Sequence, residues 1–247
     1  MDLELDLRDF AESVLKKIRV TKPVVVRDAI GDLPPNVVHS GETAPYPKLP
    51  SEASPFLKKM RLDVSSGYYT KATKRKRAIG SDDPALLHNH HTKEMQQRRA
   101  HLISFLKPGA KADSLPKHIW NGARPEKWRR LHPDLPSYTI LAQMHRDLSE
   151  WVHPWLERWI TVREAARLQS FHDGFVFMSS EWQQLKQVGN AVPPLLAFAA
   201  AKLAAAILQK ASRHAARKSS LRRSVRPKMP GPLGTFAPKI RKQAVRA

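Results

Sequence analysis

The chain has 247 residues, room for one or two domains, and a 41% hydrophobic fraction that a disordered chain would not carry. Lys and Arg number 43 against 22 Asp and Glu, and the resulting net charge of +21 favours a polyanion partner, nucleic acid first. With no cysteine, these residues hold no disulfide, no Cys-ligated zinc and no thiolate nucleophile.

The opening MDLELDLRDF is acidic and alternating, unlike a signal peptide. No apolar run of about 18 residues is apparent, so no membrane span is expected. The default is a soluble cytoplasmic protein, nucleoid-associated because of its charge. Leu7, Phe10, Val14, Leu15 and Ile18 recur at helical spacing and predict a helix over 7–19. PVVVRDAIGDLPP, from Pro23 to Pro35, reads as a short strand, a tight turn and a stop. Residues 36–60 read as a proline-rich loop. In GYYTKATKRKRAIG, the run Lys74, Arg75, Lys76 and Arg77 stands beside Tyr68 and Tyr69. Such a cluster is either a DNA contact or a solvated loop.

His88, His90 and His91 lack acids at ligand spacing, and no metal is expected. A helix is predicted from about Thr92, with Met95, Leu102, Ile103 and Leu106 on one side. Tyr138 to Ala142 reads as a short strand. TVREAARLQ has a capping-box start: Thr161 can cap the Glu164 N–H, and Glu164 can return to the Thr161 N–H. Arg163 and Arg167, four apart, share a face. A second helix is predicted from Pro193-Pro194. Its stripe of Leu196, Ala199, Ala200, Leu203 and Ile207 lies among so many alanines that burial on more than one side is expected. From Lys210 onward there are twelve Lys or Arg and no acid, which predicts a disordered tail.

RWITVREAARLQSF (158–171) and QVGNAVPPLLA (187–197) resemble motifs IX and X of the DNA cytosine-5 methyltransferases. Upstream, VRDAIGDLPP, HNHHTKEMQQRRAHLISFLKPG and RRLHPDLPSYTI are similar to segments after motif VIII and in the family's target-recognition region. About residues 21–208 follow the family's C-terminal part in order. The glycine-containing cofactor loop, the Pro-Cys nucleophile, the Glu-Asn-Val motif and the Gln-x-Arg-x-Arg strand have no counterpart in these residues. The family's thiolate adds to C6 of a flipped cytosine and activates C5 toward the methyl group of S-adenosyl-L-methionine.

The resemblance implies the second chain of a split enzyme, beginning at its own Met just past motif VIII. It implies an α+β fold: a mixed, loop-rich recognition domain followed by a helix that packs on a Rossmann-like catalytic domain absent from this chain. The organisation it implies is an N-terminal helix and connector (1–35), a target-recognition domain with motif IX (36–181), motif X with its helix (182–209) and the basic tail (210–247). Double-stranded DNA and a catalytic chain bearing the Pro-Cys nucleophile are the implied partners. Asn190, Ala191 and Val192 are placed beside S-adenosyl-L-methionine, shared with that chain; Asn190 is otherwise a cap of the Pro193 helix. Gly189 is read as a tight-turn residue.

Thr139, in SYTIL, is implied as a DNA-backbone contact, or else is a strand threonine. Arg163, Glu164 and Arg167 are structural on either reading. Phe171-His172-Asp173 stands where the family usually has Phe-Pro-Asp, which predicts a looser turn. The alternative to an enzyme subunit is a truncated, catalytically inactive methyltransferase that only grips DNA.

Overall fold

The computed structural model describes residues 3–18, 22–61, 86–148 and 150–224. Lys74 to Arg77, Tyr68 and Tyr69, and everything after Ser224, lie outside them. The described chain divides into two compact units: Lys16–Ala201, and Met1–Leu15 with Lys202–Ala247.

In the larger unit, short elements hang on a loop-built core. In order they are α2 (Val26–Ile30), β1 (Ala44–Pro45), α3 (Pro55–Met60), β2 (Leu86–Leu87) and α4 (Gln97–Ser104). Three 3-10 turns come next, at Ala112–Ser114, Pro125–Lys127 and Ala142–His145. Then come α5 (Val162–Leu168) and α6 (Glu181–Asn190). α7 (Pro194–Ser224) begins here and runs into the smaller unit. β1 and β2 pair antiparallel, Ala44 with Leu87 and Pro45 with Leu86. The described residues are thus mixed, helices with one small sheet.

With so little sheet, backbone groups find partners across loops. The first N–H groups of α2, at Val26 and Arg27, donate to the carbonyls of Leu135 and Pro133 at 3.0 and 2.8 Å. Val162 and Arg163 of α5 donate to His91 and Asn89 at 3.1 and 2.8 Å. Each helix start is therefore closed by a distant loop, and those loops wrap Ile30, Leu87, Ile103, Leu131, Trp151, Ile160 and Val188 into one core. The Arg130 guanidinium, buried in it, donates to the carbonyls of Leu106, His153 and Leu156. Burial holds it below the usual arginine range.

Several expectations give way. Where the sequence predicts a short strand and a tight turn within Pro23–Pro35, Val26–Ile30 is a helix, whose first two N–H groups are met by the 133–135 loop. Ser54 accepts from the Leu57 N–H at 3.1 Å and starts α3 inside the proline-rich segment, with Pro55 at its first position. Residues 92–96 precede α4 instead of opening it. Tyr138 to Leu141 makes no strand and leads into the Ala142–His145 turn.

In the smaller unit, α1 (Leu3–Ile18) bears out the predicted N-terminal helix. The Lys210 ammonium lies 4.6 Å from the centre of the Phe10 ring, a cation–π contact. Leu203, Ala206, Ile207, Lys210 and Ala211 form the half-buried stripe of α7 here. The helix continues to Ser224, beyond the Lys210 where composition predicts a disordered tail. No described side chain from Pro194 to Ala216 is fully buried, so the burial expected of this helix is not supplied by the described residues. The stretch Glu181–Ala216 is long and apolar enough to cross a membrane by length and composition, contrary to the expectation from sequence. It joins two helices across Ala191–Pro193 and owes much of its apolarity to alanine, which buries little area.

Candidate functional site

α5 is built from its cap inward. The Glu164 N–H donates to Thr161 Oγ1 at 3.0 Å, and the Thr161 N–H donates to Glu164 Oε2 at 2.8 Å, the predicted capping box. Arg163, Glu164 and Arg167 are each 0 % exposed. Charges taken fully from water must be paired, and these are. Arg167 meets Asp173 at 2.7 Å and also pairs with Asp32. Asp32 in turn holds Arg61 at 2.6 Å, and Tyr46 donates to Asp173. Arg163 donates to the carbonyls of His88, His172 and Phe175 and to Asn89 Oδ1. Glu164 receives both terminal nitrogens of Arg158, at 2.9 and 2.7 Å, a bidentate pair.

The titrations reflect this geometry. Burial alone would raise Glu164, but Arg158 outweighs it, with help from His153 and His90, and brings the carboxyl down to about 2. Burial likewise opposes ionisation of Asp173 and Arg167. Arg167, with Arg163 and Tyr46, holds the acid low, and Asp173 with Asp32 holds the Arg167 guanidinium high. His153 and His172 are lowered to about 4, burial being the main cause. His172 does not loosen its turn as expected: its Nδ1 accepts the Gly174 N–H at 3.0 Å, and its carbonyl accepts from Arg163.

Motif IX is bolted to α6 and α7 by two residues that the sequence did not single out. Gln169 donates through Nε2 to the Val188 carbonyl at 3.3 Å, at the end of α6. Ser170 Oγ accepts the Leu195 N–H at 3.1 Å, in the first turn of α7. Ser170 is therefore the cap of that helix, 25 residues upstream, and Asn190 is not: Asn190 is the last residue of α6. A third unforeseen residue is Asn89, at φ 61, whose amide donates to the Phe177 carbonyl and to Gln184 and accepts from the Phe177 N–H. Its signal was present, since asparagine tolerates the left-handed region.

Gly189 also plays another part. It lies inside α6, and a Cβ there would stand 2.3 Å from the Leu141 oxygen and 3.0 Å from Ala142 Cα. α6 thus presses on the Ala142–His145 turn, and only a glycine allows the approach. Trp182 of α6 meets His145 edge-to-face, with ring centres 4.4 Å apart. This contact brings the segment after Thr139 against α6, at whose end stand Asn190, Ala191 and Val192. Thr139 is exposed. So is Asn190, whose side chain makes no hydrogen bond among the described residues. Val192 is 63% exposed and Leu196 61%. Asn190 and Val192 therefore stand on an open face, with Ala191 half-buried between them against the core. They can form one wall around a ligand and cannot enclose it.

The family model described as C-5 cytosine-specific DNA methylase matches residues 28–205. The chain is 54% identical over 76 residues to the type II methyltransferase M.AgeI of Thalassovita gelatinovora, covering 31% of this chain and 18% of that protein. It is 36% identical over 129 residues to the type II methyltransferase M1.HphI of Haemophilus parahaemolyticus, covering 50% and 32%. In fold it is similar to a crystal structure of a prophage-encoded candidate DNA modification methyltransferase of E. coli, with a TM-score of 0.52 at 21% identity. That likeness covers 77% of this chain and 49% of the other. The chain spans about a third or less of the two curated relatives. It belongs to the C-5 cytosine-specific DNA methylase family.

Proposed function

We propose that this chain is the DNA-recognition and cofactor-pocket part of a DNA (cytosine-5)-methyltransferase, completed by a separate chain that carries the Pro-Cys nucleophile. The observation that carries the reading is the open apolar face of Val192 and Leu196, directly after the motif X residues and anchored to motif IX through Ser170. Exposed apolar side chains set beside a motif suit a surface that another polypeptide covers. Within these residues no cysteine can add to cytosine, so the thiolate has to come from the same partner.

In this reading Thr139 donates its hydroxyl to a DNA phosphate, a contact that positions without reading sequence. Lys74, Arg75, Lys76 and Arg77 neutralise phosphates of the same DNA. The Asn190 amide, without a partner among the described residues, and the exposed Val192 offer one polar and one apolar contact, which suits one side of S-adenosyl-L-methionine. That cofactor supplies the methyl group. The chain's own residues orient it and exclude water from the side they cover.

The experiment is methyl transfer from labelled S-adenosyl-L-methionine to duplex DNA, run with the chain, with the nucleophile-bearing half, and with both. Activity only in the mixture supports the reading. DNA binding with no methylation in any combination favours the catalytically inactive alternative.

A further inference from the structure

One concavity is not absorbed by this function. Between α4 and the loop 118–122 lies a cavity of about 790 Å3. Arg98 and Arg99 stand on its helical wall, His118, Trp120 and Asn121 on its loop wall, and Trp128 at its base. No Asp or Glu lines it. The Trp120 and Trp128 rings are 5.8 Å apart and inclined at 55°, and the Arg99 guanidinium lies 5.4 Å from the Trp128 ring centre. Arg98 and His118 are exposed and have neither an ion pair nor a side-chain hydrogen bond among the described residues. The backbone at Gly122 runs against Trp120 so closely that a Cβ would be 2.6 Å from the indole.

We propose that this cavity takes a single unstacked nucleotide of a DNA strand: the base against the indoles, the phosphate on Arg98 and His118, and the base edge met by the Asn121 amide. The inference rests on the reading that the chain works on DNA. Its size falls within the range of about 300–1,000 Å3 that small ligands occupy. One nucleotide fits such a space, and a duplex does not. Aromatic faces ringed by cations are the chemistry of unpaired bases, which offer a π-face whatever their sequence. An acidic peptide would use the cations and leave the indoles idle. The cavity is also tied to the other candidate DNA contact. Trp128 is followed by Arg129, whose guanidinium sits 3.7 Å from the centre of the Tyr138 ring, next to Thr139.

Binding of the full chain to three short labelled nucleic acids, monitored by fluorescence anisotropy, tests the proposal: a paired duplex, the same duplex with one bulged nucleotide, and an RNA single strand. The bulged duplex is expected to bind about tenfold tighter than the paired one. Trp120→Ala removes that gain and leaves the paired duplex unchanged. Arg98→Ala, at an exposed position where the fold survives, weakens the bulged complex several-fold and flattens its salt dependence by about one unit of slope. Equal binding of the two duplexes, or an Arg98→Ala variant like the wild type, overturns the inference and leaves the proposed function standing. A preference for the RNA over the bulged duplex, abolished by Trp120→Ala, overturns it too. Wild-type chain that binds no DNA at all overturns both.

Discussion

α5 and the start of α7 lie about 30 residues apart and handle their surfaces in opposite ways. In α5, Arg163, Glu164 and Arg167 are sealed from water, and each charge is met by an acid, a guanidinium or a carbonyl. At the junction into α7, Val192 and Leu196 stand in solvent and the Asn190 amide has no partner among the described residues. The first region is finished, and its polar groups serve the fold. The second is open, and its groups are free of the fold's own hydrogen bonds among the described residues. The contrast separates residues that look functional because they are charged from residues that are available to function.

The comparison can be broken most sharply at Arg167. Arg167→Ala takes the shared guanidinium from two buried carboxylates, leaving Asp32 to Arg61 and Asp173 to Tyr46 and the more distant Arg163, and should cost about 3–5 kcal/mol, read as a large fall in the urea midpoint. A variant as stable as the wild type would mean the network is not buried in solution.

Gly189→Ala comes next. Its Cβ meets backbone at Leu141, which cannot swing aside, so a loss of about 1–3 kcal/mol is expected. Urea unfolding of that variant also asks whether α6 truly rests on the 142–145 turn.

The acid limb sharpens the finished side. His153 and His172 are held at about 4 when folded, below their ordinary 6.5, so the unfolded chain takes up protons first. Stability should therefore decline as pH falls from about 6.5 to 4. Glu164, folded at about 2, contributes fully above about pH 4.5 and is lost as pH drops toward 2. A urea midpoint that is flat from pH 7 to 4 would contradict the buried, neutral histidines.

The smallest effect belongs to the open face. Leu196→Ser should leave stability within about 0.5 kcal/mol, because little of the side chain is covered. A substantial loss would show that the chain covers this face itself.

What was legible in the sequence was local. The capping box at Thr161 and Glu164, the shared face of Arg163 and Arg167, and the family itself could all be read from adjacent residues. The misses needed distant partners. The valines of Pro23–Pro35 suggest a short strand because Val carries strand preference, and the partners of the helix that forms instead, the Leu135 and Pro133 carbonyls, lie more than 100 residues away. Ser170 caps α7 from 25 positions away, so neighbouring residues gave Asn190 that part by default. Gly189 signalled special backbone, but a sequence does not say whether a glycine serves a turn or a close approach. In a chain whose described residues hold one two-residue strand pair, long-range loop contacts do much of the work that ladders do elsewhere.

The central claim is that the face at Val192 and Leu196 belongs to a nucleophile-bearing companion. Light scattering on a mixture of this chain with that companion tests it most directly. The account predicts a one-to-one complex that Leu196→Asp weakens at least about tenfold, as expected when a charge is forced into a desolvated contact. Two non-interacting species, or a complex indifferent to Leu196→Asp, would contradict it.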